Sequence, residues 1–96
     1  MAVHVVIKRK FQINQPEKLK PLLRELSLRA QAQSGYISTE TLQSVESPDE
    51  CMVLSKWDTT EDWERWFTSK ERKDIQNQID SLIGERTFYE VFQPLS

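Results

Sequence analysis

The sequence predicts one α+β domain, residues 1–96, whose elements follow the order β-α-β-β-α-β. Two features support this fold class. Four short segments alternate apolar with polar residues, which is the two-residue period of half-buried strands. The stretches after the first segment and before the last repeat apolar residues every three or four positions, which is the period of amphipathic helices. A chain of this length has room for one hydrophobic core, and no linker or repeat divides it.

The first strand is predicted over residues 3–11, where β-branched residues dominate. A helix follows, because Asn14 and Glu17 have the spacing of a capping box. Pro21 would interrupt a helix that starts there, so we expect its regular part to begin nearer Lys18. The apolar face of this helix consists of Leu19, Leu22, Leu23, Leu26 and Ala30.

A hairpin is predicted after Gly35, which ends the first helix. Its strands cover residues 36–46 and 51–57, and the turn between them is rich in turn-forming residues. Alternation in the first of these strands predicts one shared face for Ile37, Thr39, Thr41 and Val45.

The second helical region begins with a short helix for which Thr59 and Thr60 are capping residues. Thr68 with Glu71 forms another capping box, which leads into a longer helix. The last strand is predicted over residues 86–93. The apolar positions of the longer helix are Ile75, Ile79, Leu82 and Ile83.

Both faces of the predicted sheet carry apolar side chains. In the last strand, Phe88 and Phe92 lie on one face, while Tyr89 and Val91 lie on the other. A sheet that is covered by helices on one side only is expected to have a polar outer face. We therefore predict that a second copy of the chain covers the outer face in a homodimer.

Composition and charge exclude several classes of function. Charged residues make up 29% of the chain, and the formal net charge is −2. The one basic run, Lys8-Arg9-Lys10, alternates between strand faces, and we interpret it as a solvated strand end. No nucleic-acid partner is therefore predicted. Since no signal peptide or long apolar segment occurs, we predict a cytoplasmic protein that does not associate with membranes.

The sequence offers no conventional metal or phosphate site. His4 is the only histidine and Cys51 the only cysteine, so no typical metal site and no intrachain disulfide are predicted. Two glycines leave no phosphate-binding loop. We expect His4 to face the dimer interface in a structural role, and Cys51 to be a small buried hydrophobic residue.

Four segments of the chain and one isolated serine resemble one family. Residues 35–42 (GYISTETL), 54–57 (LSKW), 63–66 (WERW) followed by Ser69, and 85–92 (ERTFYEVF) are similar to the antibiotic biosynthesis monooxygenase (ABM) family. The resemblance covers nearly the whole chain. It implies a ferredoxin-like subunit whose sheet packs on that of its mate in a dimeric α+β barrel. It also implies a cavity between the sheet and the helices.

Two activities of this family are relevant. One is cofactor-independent oxygenation of phenols or quinols, in which the substrate anion reduces O₂; this implies no cofactor and O₂ as co-substrate. The other is haem degradation, which uses a helix tryptophan, a later histidine and a first-strand asparagine. The matching positions here are Trp66, Gln76 and the vicinity of Ile7. Without an imidazole at Gln76 the iron lacks an axial ligand from this helix, so haem degradation is disfavoured.

An aromatic cluster carries most of the candidate site. Trp63, Trp66 and Phe67 share one helix face, and Trp57 leads into that helix. Trp66 is the predicted catalytic residue among them, because it coincides with a functional position of the family. The predicted substrate pocket consists of Tyr36, Trp57, Trp63 and Phe67. For each of these aromatic residues the alternative is ordinary core packing.

Arg72 is the second predicted catalytic residue. A permanent cation at the mouth of the cavity would stabilise a phenolate or a developing superoxide. The alternative is a surface arginine in the first turns of a helix.

The leading hypothesis is a cofactor-free monooxygenase whose cavity binds a small aromatic or quinol-type molecule. The rival hypothesis is a non-catalytic dimeric barrel that binds a small ligand or a protein partner, because one fold hosts both kinds of protein. Trp66 favours the enzyme, whereas the missing histidines favour the rival. The sequence contains no convincing general base.

Overall fold

A computed structural model describes residues 2–10, 16–83 and 87–95 of the chain. Four antiparallel strands form one sheet in the order β2-β3-β1-β4, and three helices lie against one of its faces. The elements are β1 (Val3–Lys10), α1 (Pro16–Gln31), β2 (Tyr36–Gln43), β3 (Glu50–Trp57), α2 (Thr60–Phe67), α3 (Lys70–Ile83) and β4 (Phe88–Phe92). The predicted ferredoxin-like α+β order is confirmed, with the second helical region divided into α2 and α3.

The hydrophobic core lies between the inner face of the sheet and the helices. Strand alternation places every second residue of β1 and β3 on this face, and Val5 and Trp57 are completely buried there. Trp63 and Trp66 of α2 pack against the same cluster. A second cluster joins Leu19 of α1 to the apolar face of α3. The helices thus cover one side of the sheet.

The outer face of the sheet also carries apolar side chains, as the alternation predicts, among charged ones such as Lys8 and Lys56. Val6 is paired with Leu54, and Phe92 with His4. Phe88 and Phe92 are 59% and 50% exposed. His4 is exposed on this face, away from the helices and the core.

β2 contains an irregularity that changes which of its side chains share a face of the sheet. The pairing with β3 shifts between Tyr36 and Ser38, so Ile37 does not share a face with Thr39 as predicted. Tyr36 is paired with Trp57 and packs on its ring, whereas Ile37 is 44% exposed. An extra residue in one strand reverses the alternation beyond it. The strand also ends at Gln43, before the predicted limit.

α1 begins earlier than predicted. The helix starts at Pro16 and continues through Pro21, so its regular part does not wait for Lys18. Proline is well suited to the first helical position, and Pro21 removes only the hydrogen bond that would go to the carbonyl of Glu17. The predicted capping residue Asn14 lies outside the described residues. Among the helices that the structure describes, none combines the length and apolar character needed to cross a membrane.

The junction between α2 and α3 differs from the prediction by one residue. Thr59 caps α2 as predicted, since its hydroxyl accepts a hydrogen bond from the backbone N–H of Asp62. Thr68, however, ends α2 and donates its hydroxyl to the carbonyl of Glu64. Ser69 caps α3 instead, because its Oγ accepts from the backbone N–H of Arg72 at 3.2 Å. This cap fixes the backbone of Arg72 at the start of α3.

Candidate active site

A small cavity lies between the inner face of the sheet and the helices. Its volume is about 70 Å³. Most of its wall is apolar, with Leu23 and Leu26 of α1 opposite Val53 of β3. The polar exceptions are Ser27, Thr39, Thr41, Ser55, Arg9 and Arg72 and the phenol of Tyr89. Of the described residues that line the cavity, none is an aspartate or glutamate, so its two arginines give it a positive charge.

Arg72 is one of these two cations, and it is only 5% exposed. Its Nη2 donates to the hydroxyl of Tyr89 at 2.6 Å. The guanidinium carbon lies 4.4 Å from the centroid of the Phe67 ring and 5.1 Å from that of Tyr89. Cation–π contacts of this kind hold the guanidinium in place without neutralising it. Arg72 is therefore buried at the cavity rather than a surface arginine.

Arg9 is the second cation, and the sequence interpretation of it was wrong. Lys8 and Lys10 are exposed, but Arg9 points to the inner face and is 4% exposed. Its Nη2 donates to the Oε1 of Gln76 at 3.0 Å. Its buried Nε has no hydrogen-bond partner among the described residues. Burial lowers the pKa of Arg9 below its ordinary value, and the positive charge of Arg72 acts in the same direction.

Gln76 occupies the position that a haem ligand would need. It is 6% exposed, and its Nε2 donates to Asp80 Oδ1 at 2.8 Å and to Thr87 Oγ1 at 3.1 Å. These two acceptors orient the amide so that its oxygen faces Arg9. Gln76 therefore positions the guanidinium of Arg9. Its amide is engaged by these hydrogen bonds, so it is not free to act as an iron ligand.

The six predicted site residues fall into two groups. Trp63, Trp66 and Arg72 line the cavity. The other three, Tyr36, Trp57 and Phe67, lie outside its lining and pack around it, with Trp57 completely buried.

These aromatic residues support one another by edge contacts. Tyr36 meets Trp57 with ring centroids 5.5 Å apart, and Trp57 meets Trp63 at 5.9 Å. Phe67 lies against Tyr89 at 5.0 Å. Such contacts fix ring positions, so the cluster forms a rigid wall on one side of the cavity.

Sequence reasoning missed several residues of the cavity. Arg9 lies an even number of positions from Val5 and Ile7, so strand alternation alone predicts that it shares their buried face. Tyr89 was placed on the correct face but not connected to Arg72, because that contact joins α3 to β4 across the fold. Cys51 is a buried free thiol in the wall, as predicted. Burial raises the pKa of this thiol, and Arg9 partly opposes the effect.

Fold and cavity together define a class of protein: a ferredoxin-like subunit with a positively charged cavity between its sheet and helices. The sequence profile of the antibiotic biosynthesis monooxygenase family matches residues 2–78. The chain therefore belongs to the antibiotic biosynthesis monooxygenase family. A comparison with curated protein sequences finds no match.

Several solved structures share the fold. A conserved protein from Methanosarcina mazei Go1 is 18% identical, with a TM-score of 0.87 over 97% of this chain and 92% of that one. Rv0793 from Mycobacterium tuberculosis is 17% identical, with a TM-score of 0.85 over 100% and 97%. SnoaB, a cofactor-independent oxygenase from Streptomyces nogalater, is 10% identical, with a TM-score of 0.86 over 99% and 94%. At these identities the likeness concerns the fold.

Proposed function

We propose that the chain is a cofactor-independent monooxygenase that oxidises a small phenol or quinol in this cavity, with O₂ as co-substrate. The observation that carries the proposal is the pairing of Trp63 and Trp66 with two buried guanidiniums, Arg9 and Arg72, in a lining without a described carboxylate. The aromatic wall suits a flat ring, and the cations suit its anion. Membership of the family and the similarity to SnoaB, a cofactor-independent oxygenase, support the same chemistry.

Ionisation of the substrate is the first step. A positive charge within a few ångströms lowers the pKa of an acidic group by about 1–3 units. Arg72 and Arg9 therefore favour the phenolate over the phenol, so a separate general base is not required. His4 does not serve as one, because it is exposed on the opposite face of the sheet.

Oxygen then reacts with the bound anion. The anion transfers one electron to O₂, and the resulting substrate radical and superoxide combine to form a carbon–oxygen bond. A proton from water converts the resulting peroxide anion into a hydroperoxide. Loss of water from it, with the hydrogen of the same carbon, leaves one oxygen atom on the substrate as a carbonyl and places the other in water. Arg72 stabilises the negative charge as it moves to oxygen. The Tyr89 hydroxyl accepts from Arg72, so its own proton remains available for a substrate oxygen.

The size of the cavity restricts the substrate. Pockets for drug-sized ligands have volumes of roughly 300–1,000 Å³, and a cavity of about 150 Å³ holds benzene. The cavity here is smaller, at about 70 Å³. A ring therefore enters only when side chains move, and the half-buried Leu23 and Leu26 of α1 are the movable part of the wall. We propose a substrate with one ring.

Oxygen uptake tests this proposal. The purified protein is mixed with hydroquinones and anthrone-type phenols under air, with a chelator present, and oxygen and product are followed. We expect turnover that the chelator does not abolish and that falls in Trp66→Phe. The control is Arg65→Met, which changes an exposed residue of the same helix, outside the cavity lining, and is expected to keep most of the activity. Uptake at the buffer rate on every compound would contradict the proposal.

The rival function, a non-catalytic barrel that binds a ligand or a partner, is favoured by the small volume of the cavity. The two functions differ in one readout. A binding protein retains a phenol without consuming oxygen, whereas the oxygenase converts it.

We also propose that the chain acts as a homodimer of single-domain subunits in the cytoplasm. Phe88 and Phe92 on the outer face of the sheet support the dimer, because exposed apolar area of this kind is commonly buried against a second copy. The free thiol of Cys51 is compatible with a reducing compartment.

A further inference from the structure

The guanidinium of Arg9 is unusual because it is buried but incompletely hydrogen-bonded. Its Nε is the one side-chain nitrogen or oxygen of the described residues that is fully buried without a partner. A buried cation destabilises a protein unless an anion or a full set of acceptors compensates it. Among the described residues, the structure shows one acceptor for Arg9, the neutral amide oxygen of Gln76.

The neighbours of Arg9 orient it without neutralising it. The closest carboxylate in its hydrogen-bond chain belongs to Asp80, which is exposed and accepts from Gln76 rather than from Arg9. The four salt bridges in the described part of the chain involve other cations. The arrangement therefore holds a buried cation in the lining of the cavity, with one donor, its Nε, that no described residue uses. Since Nε is fully buried, a ligand bonds to it only when neighbouring side chains move.

The two cations of the cavity have different surroundings. Arg72 is engaged by the Tyr89 hydroxyl and by two ring faces. Arg9 contacts no aromatic ring face within the described residues and retains an unused donor. A ligand with two acidic groups would satisfy both, with one group near Tyr89 and Arg72 and the other on Arg9.

We infer that Arg9 binds the carboxylate of an aromatic hydroxy acid, so that the substrate class is a phenol that carries a carboxyl group. The inference rests on the proposed function for the identity of the ring, but the anion site itself does not depend on turnover. A carboxylate is planar and matches the edge of a guanidinium. It is also small enough for the cavity of about 70 Å³ as it stands.

Binding without oxygen tests this inference separately from catalysis. Titration calorimetry under nitrogen compares 2,5-dihydroxybenzoate with hydroquinone, which has the same ring without the carboxyl group, and with the methyl ester of the acid. We expect the wild-type protein to bind the acid at least about tenfold more tightly than either neutral compound, as a charged hydrogen bond in a buried site implies.

Substitutions at Arg9 assign the preference to its side chain. We expect Arg9→Met to bind the three compounds with similar affinity and Arg9→Lys, which keeps the charge, to retain part of the preference for the acid. Arg24→Met, which removes an exposed arginine of α1, is the matched control and is expected to bind like the wild type. Circular dichroism of each variant confirms that it is folded.

Two results would overturn the inference. One is a wild-type protein that binds the acid no better than hydroquinone, or does not bind it. The other is an Arg9→Met variant that is folded and keeps the preference. If hydroquinone is oxidised but the carboxylate adds no affinity, the proposed function stands and this inference fails. If the acid binds through Arg9 but no oxygen is consumed, the inference stands and the proposed function fails.

Discussion

The arginines on the surface of this protein and those at its cavity have opposite surroundings. On the surface, Arg29 pairs with Glu25 and Glu71, and the exposed Arg65 pairs with the half-buried Asp62. Arg9 and Arg72 are about 95% buried, and the structure gives neither a carboxylate partner within its described residues. Surface pairs contribute little to stability because water screens them. A buried cation without a counter-ion is unfavourable in the free protein, and this supports our inference that a ligand supplies the missing charge.

The largest expected effect is on activity, which should distinguish the arginines at the cavity from those on the surface. Replacing Arg72 with Met removes the cation that we propose to face the reacting oxygen, while keeping an unbranched side chain. We expect oxygen uptake on a turned-over phenol to fall by about 10²–10³-fold, the usual loss when a preorganised charge stabiliser is removed. Initial rates at saturating phenol measure it.

Arg65→Met is the matched surface variant, since Arg65 is exposed on α2 and pairs with Asp62. Its rate is expected to stay close to that of the wild type. Equal losses in both variants would show that Arg72 acts through stability rather than at the site.

The stability of the ligand-free protein is a second way to distinguish a ligand-binding arginine from a structural one. A structural salt bridge that loses one buried partner costs about 3–5 kcal/mol. In Arg9→Met, relief of the desolvated charge offsets the lost bond to Gln76, so we expect the free energy of unfolding to stay within about 1 kcal/mol of wild type. Urea denaturation measures it.

Ile79→Ala is the reference for that experiment. Ile79 is completely buried, and truncation of such a residue costs about 2–5 kcal/mol. If Arg9→Met were as destabilising as Ile79→Ala, Arg9 would be part of the structural core rather than a ligand-binding group.

The smallest expected effect concerns a surface pair. The hydrogen bond from Thr59 and then that from Arg65 hold the pKa of Asp62 below its usual value. A carboxylate with a lowered pKa contributes stability above its unfolded pKa, and the contribution disappears as the pH falls through the folded value. Asp62→Asn is therefore expected to be slightly less stable than wild type near neutral pH. Thermal unfolding should show that difference vanishing at the acidic end, and a constant difference at all pH values would contradict the assignment.

Much of the fold was predictable because local patterns determine it. Strand alternation in β1 and β3 and the cap at Thr59 were correct, since each depends on neighbours in sequence. The shift at Ile37 was not predictable, because a bulge depends on the pairing of two strands. The cap of α3 moved to Ser69 because the hydroxyl of Thr68 bonds back to Glu64.

The candidate site was predicted less completely than the fold. Trp66 and Arg72 were named from a resemblance and from charge, and both lie at the cavity. The hydrogen bond between Gln76 and Arg9 could not be predicted, because the two residues lie 67 positions apart in the sequence. Tyr89 was missed for the same reason. Contacts between distant elements define this cavity, and one sequence contains no signal for them.

The central claim is that the cavity binds the anion of a phenol, and absorbance spectroscopy tests it most directly. 4-Nitrophenol, whose anion is coloured, is titrated with the protein under nitrogen at a pH below the pKa of the free phenol. We expect the phenolate band to appear on binding to the wild type and to Arg65→Met, and to be lost in Arg72→Met. A phenol that binds in its neutral form, or does not bind, would contradict it.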